Sequence, residues 1–171
     1  MGLFDWITGS KSAPAGVPRQ PASVLRGAML AINRQTAPFV IRDGAPEGVD
    51  LVAEWKIVDA RWYEIFAKAN LTKVFKVLMK LDEASGEVRS VDQEWTVEWR
   101  AGVPGLSLSA EAFRGQKKEF SFGTAYAFKE DLSGYGKVYE YKFATGEIKG
   151  PLIEVAQQNG WGWKGVSFGK L

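Results

Sequence analysis

The chain contains no histidine and no cysteine. Their absence removes the side chain that most often moves protons near neutral pH, and the usual ligands of zinc, copper and haem iron. A Ser-His-Asp triad and a disulfide are both excluded. Zero cysteine fits a reducing compartment. Met1–Ser10 has no basic n-region followed by a long apolar run, so no secretory signal is expected. No stretch approaches the ~18 apolar residues of a membrane span. The expectation is a cytoplasmic chain with no transmembrane segment, no metal and no cofactor.

A strong charge of either sign is also missing. The net charge is +2, from 22 basic and 20 acidic residues. The excess lies in residues 1–48, where Lys11, Arg19, Arg26, Arg34 and Arg42 face Asp5, Asp43 and Glu47; the remainder is balanced. Nucleic-acid binding needs a basic stripe that releases counterions. Lys117-Lys118 is an isolated doublet, so nucleic acid is not the expected partner.

Against these absences stand seven tryptophans in 171 residues, and 13% aromatic residues in all. Three zones are visible: a short apolar amphipathic leader over residues 1–8, a Gly/Pro/Ser-rich stretch over 9–22 that its composition predicts to be a linker, and one domain over 23–171. In the domain, Ser23 is placed to N-cap a helix with Leu25, Ala28, Met29 and Ile32 on one face. Pro38–Arg42 is extended, Asp43–Gly48 is a turn and Asp50–Val58 alternates as a strand. Asp59–Asn70 fits a helix presenting Trp62, Ile65, Phe66 and Ala69, or a strand through the same aromatics.

From Leu71 the period becomes two. Phe75, Val77, Met79 and Leu81 share one strand face, Asp82–Gly86 turns the chain, and Trp95, Val97 and Trp99 share a face of the return strand. Leu106–Ala110, a turn at Arg114-Gly115 and Phe120–Phe128 form a second predicted hairpin, and Lys137–Ala144 another strand. Gly150-Pro151 opens a helix that Asn159-Gly160 stops, and Trp161–Phe168 ends the chain as a strand. The expected class is α+β, with about eight mainly antiparallel strands, curved or barrel-like, and about three helices. A sheet closed around the C-terminal helix would resemble tubby and scramblase-like folds in architecture alone, which implies lipid-related binding and carries over no residue.

Gly160-Trp161-Gly162-Trp163-Lys164-Gly165 matches G-x-G-x-x-G, but a phosphate-cradling turn needs a strand before it and a helix after it. Here the predicted order is reversed. As a strand, the segment puts Trp161 and Trp163 on one face and bare glycines on the other, where a backbone or ligand can approach closely. Ser167–Lys170 satisfies S-x-x-K without the other motifs of that enzyme class. Glu-Trp recurs at Glu54, Glu94 and Glu98, and a carboxylate beside an apolar ring is a glycosidase device. Glu94 and Glu98 are about 13 Å apart along a strand. With Trp95 and Trp99 in the core, alternation points both glutamates at solvent.

In the leader, Leu3, Phe4 and Ile7 share a helical face with Trp6 at its edge, a pattern suited to a protein surface or a bilayer interface. Gly2 lacks the Ser/Thr that myristoylation expects at position 6. The leading expectation is therefore a non-catalytic binding or assembly module acting through protein contacts or self-association, with Leu3, Phe4, Trp6 and Ile7 as docking element. One alternative is a pocket for an apolar or lipid-like small molecule lined by Trp95, Trp99, Tyr126, Tyr141, Trp161 and Trp163. The other is a carboxylate enzyme, which requires two of Glu54, Asp59, Glu94 and Glu98 to converge.

Overall fold

Alternation of period two between Lys73 and Arg100 builds the centre of the fold. In the computed structural model, which describes residues 10–35, 37–57, 59, 62, 66–67, 73–108, 126–129, 138–141, 145–166 and 171, the order is α1 (Ala22–Leu30), β1 (Phe39–Asp43), β2 (Leu51–Trp55), β3 (Lys73–Asp82), β4 (Glu87–Arg100), β5 (Val103–Leu108), β6 (Tyr126–Lys129), β7 (Val138–Tyr141), α2 (Thr145–Gln158) and β8 (Gly162–Gly165). Strands β1 to β5 form an antiparallel meander in chain order, and β8 pairs with β4 in parallel. With β3 on one side of β4, the fourteen-residue β4 accommodates β8 beside residues 87–90 and β5 beside residues 95–100.

The α+β class and the antiparallel sheet stand as expected, but the closure does not. The described strands divide into an open six-stranded sheet and a separate β6–β7 ladder. Of the two expected arrangements the barrel is the one that fails, and the architectural likeness to tubby and scramblase-like folds falls with it. Two α-helices and a 3-10 turn (Ala45–Glu47) are present among the described residues, rather than three helices. At the predicted second helix, Phe66 N–H donates to the Trp62 carbonyl at 3.1 Å, one α-type turn; most of Asp59–Asn70 lies outside the described residues, as do the predicted turn at Arg114-Gly115 and Ser167–Lys170.

Four local features differ from the expectation. Pro21, not Ser23, caps α1, and no side chain caps it; the Pro21 carbonyl accepts from Val24 and Leu25 instead. Helix α2 begins at Thr145, so Pro151 lies inside it rather than at its first position. Proline there removes the bond to the carbonyl four residues back, yet Ile148, Leu152 and Ala156 form a fully buried stripe. Burying Ile148 and Leu152 contributes about 1.5–3 kcal/mol each, enough to carry the helix through the defect. The third change is a hairpin that joins β4 to β5 through Ala101-Gly102, with φ of 51° and 78°. Two positive central φ values are the primed turn that matches strand twist. Finally, the last strand is shortened to Gly162–Gly165.

Register defines the two faces. Ile41, Ala53, Val77 and Asp92 form one cross-strand row, and Leu51, Met79 and Ser90 the next. Helices α1 and α2 cover this face, placing Leu25, Met29, Ile148, Leu152 and Ala156 in one cluster with Phe39, Trp55, Phe75 and Trp163. Trp55 meets Phe39 and Phe75 edge to face, with centroids 6.1 Å apart in both pairs. A smaller cluster of Val52, Leu78, Val91 and Val166 occupies the opposite face.

Candidate functional site

The site builds from the end of α2. Gly160, at φ +75°, adopts the left-handed conformation that favours glycine. Gly160 N–H donates to Gln157 O at 3.0 Å and Trp161 N–H to Ala156 O at 2.9 Å, the two bonds of a Schellman stop. Asn159-Gly160 thus ends the helix as predicted, and the chain enters β8 directly. Helix precedes strand, opposite to a phosphate-binding turn. Trp161 and Trp163 are each 1% exposed, so neither lines a cavity open to solvent.

The bare glycines meet a backbone. A methyl group on Gly160 would fall 2.5 Å from Pro18 O, and one on Gly162 would fall 3.0 Å from Lys11 O. The neighbour is the stretch whose Gly, Pro and Ser content predicts a linker; here residues 10–20 form an ordered strap. Lys11 and Trp163 exchange two backbone hydrogen bonds of 2.7 Å, an antiparallel bridge on the free edge of β8. Gln20 N–H donates to Asn159 O at 2.9 Å, and Trp161 Nε1 donates to Gln20 O at 2.8 Å. Gln157 Nε2 donates to Ser12 O at 3.3 Å, and Gly165 N–H to Ser10 Oγ at 3.2 Å. Arg19 lies 5.9 Å from the centre of the Trp161 ring, a cation–π contact.

Between strap and helix runs an open groove of about 500 Å³, walled by Lys11, Pro14 and Val17 on one side and Gly150, Ile153 and Gln157 on the other. At Gly150, on the helix wall, no atom lies within 4 Å of where a Cβ would stand. The strap side chains are exposed apart from half-buried Ser10 and Pro14.

The other predicted residues do not gather here. Trp95 and Trp99 are half-buried and pack on the main core; Trp95 Nε1 donates to Gln93 Oε1 at 3.1 Å, with Lys76 Nζ 4.5 Å over its ring. The backbones of Tyr126 and Tyr141 are direct partners in the β6–β7 ladder. Leu3, Phe4, Trp6 and Ile7 lie outside the described residues.

Among the acids, Glu98 is exposed, as alternation predicts, but Glu94 is buried at 7%. Glu94 pairs across the sheet with Phe75 on the helix-covered face, and Lys73 Nζ stands 4.0 Å from its Oε2. Glu54 pairs with Lys76 in register and so points from the opposite face. Glu54 and Glu94 therefore do not converge. Among the described residues, no group of three or more acidic side chains is placed to hold a metal ion, and no helix is long and apolar enough to cross a membrane.

Two charged groups escape a reading of the sequence. Under α2, Lys149 Nζ stands 2.6 Å from Asp92 Oδ2, and Asp92 is fully buried beside buried Ser90. A strand that alternates Val88, Ser90, Asp92 and Glu94 carries no local sign that these positions face inward. On the opposite face, Arg42 bonds both Glu47 and Glu54, and Lys76 reaches Glu54 at 3.1 Å. The hydrogen bonds from Arg42 hold the Glu47 carboxyl below its ordinary range, and those to Glu47 and Glu54 push the guanidinium upward.

Comparison with family models, curated proteins and solved structures finds no match.

Proposed function

We propose that this protein is a non-catalytic cytoplasmic binding or assembly module that acts through protein contacts, with Leu3, Phe4, Trp6 and Ile7 of the leader as its docking element. One observation carries the reading: the strap that follows the leader is seated by backbone hydrogen bonds at Lys11 and Gln20. Ser10 is held beside β8 through the Gly165 N–H, so a docking segment joined to it would start from a fixed point and lose less orientational entropy on meeting a partner.

The strap also determines how the reading is tested. Removing residues 1–20 would strip the partner of Trp161 Nε1, so the leader must be removed by itself. Native mass spectrometry of the full chain beside a chain lacking residues 1–9 should show a higher assembly state only for the full chain. Identical masses over a concentration series, with identical capture of partners, would refute the leader's role.

A further inference from the structure

We infer that the open groove between the strap and α2 is the docking site of this chain's own leader, residues 1–9, and that a seated leader is withheld from partners. The withholding rests on the assembly reading above; the groove contact rests on the geometry of strap and helix.

The groove is walled by apolar groups that the core does not use up. On α2, Gly150, Ile153 and Gln157 lie along one face, apart from the buried stripe of Ile148, Leu152 and Ala156. Ile153 is half-buried, and Gly150 has no side chain to keep a second backbone away. On the strap, Val17 is 37% exposed, one of three large apolar side chains left in solvent among the described residues. Lys11 and Glu154 line the groove with one charge of each sign, so no net charge rejects an apolar segment.

The leader matches the groove in place, length and chemistry. It joins the domain at Ser10, which accepts from Gly165 N–H, and the next residue, Lys11, is itself part of the wall. Nine residues reach up to about 30 Å. From Gly150 to Gln157 the helix wall runs about 10 Å, and a helix over residues 1–8 would be about 12 Å long. Such a helix presents Leu3, Phe4 and Ile7 together. The volume of about 500 Å³ falls within the roughly 300–1,000 Å³ of pockets that bury whole small ligands, room enough for these side chains. Thr8 and Gly9 remain for the reversal from the β8 edge.

The tether makes a weak contact sufficient. At an effective concentration in the mM range, a contact with a Kd of about 0.1 mM keeps the leader seated roughly nine-tenths of the time. The free tenth is what a partner can meet, so apparent assembly weakens about tenfold.

The absence of cysteine makes the test clean. Asp5→Cys carries a single nitroxide, at a position opposite Leu3, Phe4 and Ile7 on a helix. In an isotope-labelled chain diluted into unlabelled wild type, the Gly150 and Ile153 amide signals should lose most of their intensity. Val103 pairs with Arg100, at the opposite end of β4 from β8, and should keep its signal. Two variants should each restore Gly150: Leu3→Ser with Ile7→Ser on the same tether, and Val17→Asp on the exposed strap wall, with near-ultraviolet circular dichroism retained. An unaffected Gly150, or a loss undiminished in both variants, overturns the inference. So does a loss that appears only when the nitroxide and the isotope are on different chains, which makes a second copy the occupant. In native mass spectrometry, Val17→Asp should lower the protein concentration at which assembly begins by about tenfold; an unchanged onset overturns the withholding. Groove contact without assembly of any chain keeps the docking site and removes the assembly reading, whereas leader-dependent assembly without groove contact does the reverse.

Discussion

The two faces of the sheet carry ion pairs of similar composition in different surroundings. Beneath α2, Asp92 is fully buried and the Lys149 side chain is 13% exposed. On the opposite face, the side chains of Arg42, Glu47, Glu54 and Lys76 range from 17% to 29% exposed. A buried charge that loses its partner has no water to turn to, whereas a partly exposed one is resolvated. The same chemistry is thus a structural necessity on one face and an increment on the other.

The sharpest way to break that contrast is Asp92→Ala, which removes the buried carboxylate 2.6 Å from Lys149 Nζ. It should cost about 3–5 kcal/mol by urea denaturation, whereas the double change Asp92→Leu with Lys149→Met should recover most of the loss. A loss below 1 kcal/mol for the single change would mean that the helix-covered face is wetter than its burial implies. Arg42→Ala should cost less, about 1–2 kcal/mol, because its two carboxylates are partly solvated and Glu54 keeps Lys76.

Acid should erase part of that second effect. Glu47 is held below its ordinary pKa of 4.5 by Arg42, so its contribution is complete above that pH and fades as pH falls toward the folded-state value. The gap between wild type and Arg42→Ala should therefore narrow below about pH 4.5; a gap constant from pH 7 to 3 contradicts the assignment. The smallest expected effect lies at the solvent end of β4. Ala101 holds a φ of 51° in the β4–β5 turn, and Ala101→Gly should stabilise by about 0.5–1 kcal/mol, relief of strain exceeding glycine's added unfolded-state entropy. A thermal midpoint that falls instead would show that the turn is not strained.

Much of the local structure was legible. The β3–β4 hairpin follows from period two on either side of Asp82–Gly86, the buried pair Leu25 and Met29 of α1 from a spacing of four, and the end of α2 from Asn159-Gly160. The bare glycine face was legible too, as a place for close approach. What approaches it was not, because the composition of residues 10–20 signals a flexible tether, and only the distant backbones of Asn159 and Trp163 and the indole of Trp161 make it a strap.

The sequence by itself determined where strands alternate, where helices stop and which chemistries have no residues to perform them, since each depends on side chains within a few positions. Tertiary structure alone decided that β4 turns Ser90, Asp92 and Glu94 inward, that β8 joins the sheet in parallel and that the sheet stays open. Alternation divides a strand into two faces without saying which is buried; that choice belongs to partners far away in the chain, here Lys149 for Asp92 and the edge of β4 for the final strand.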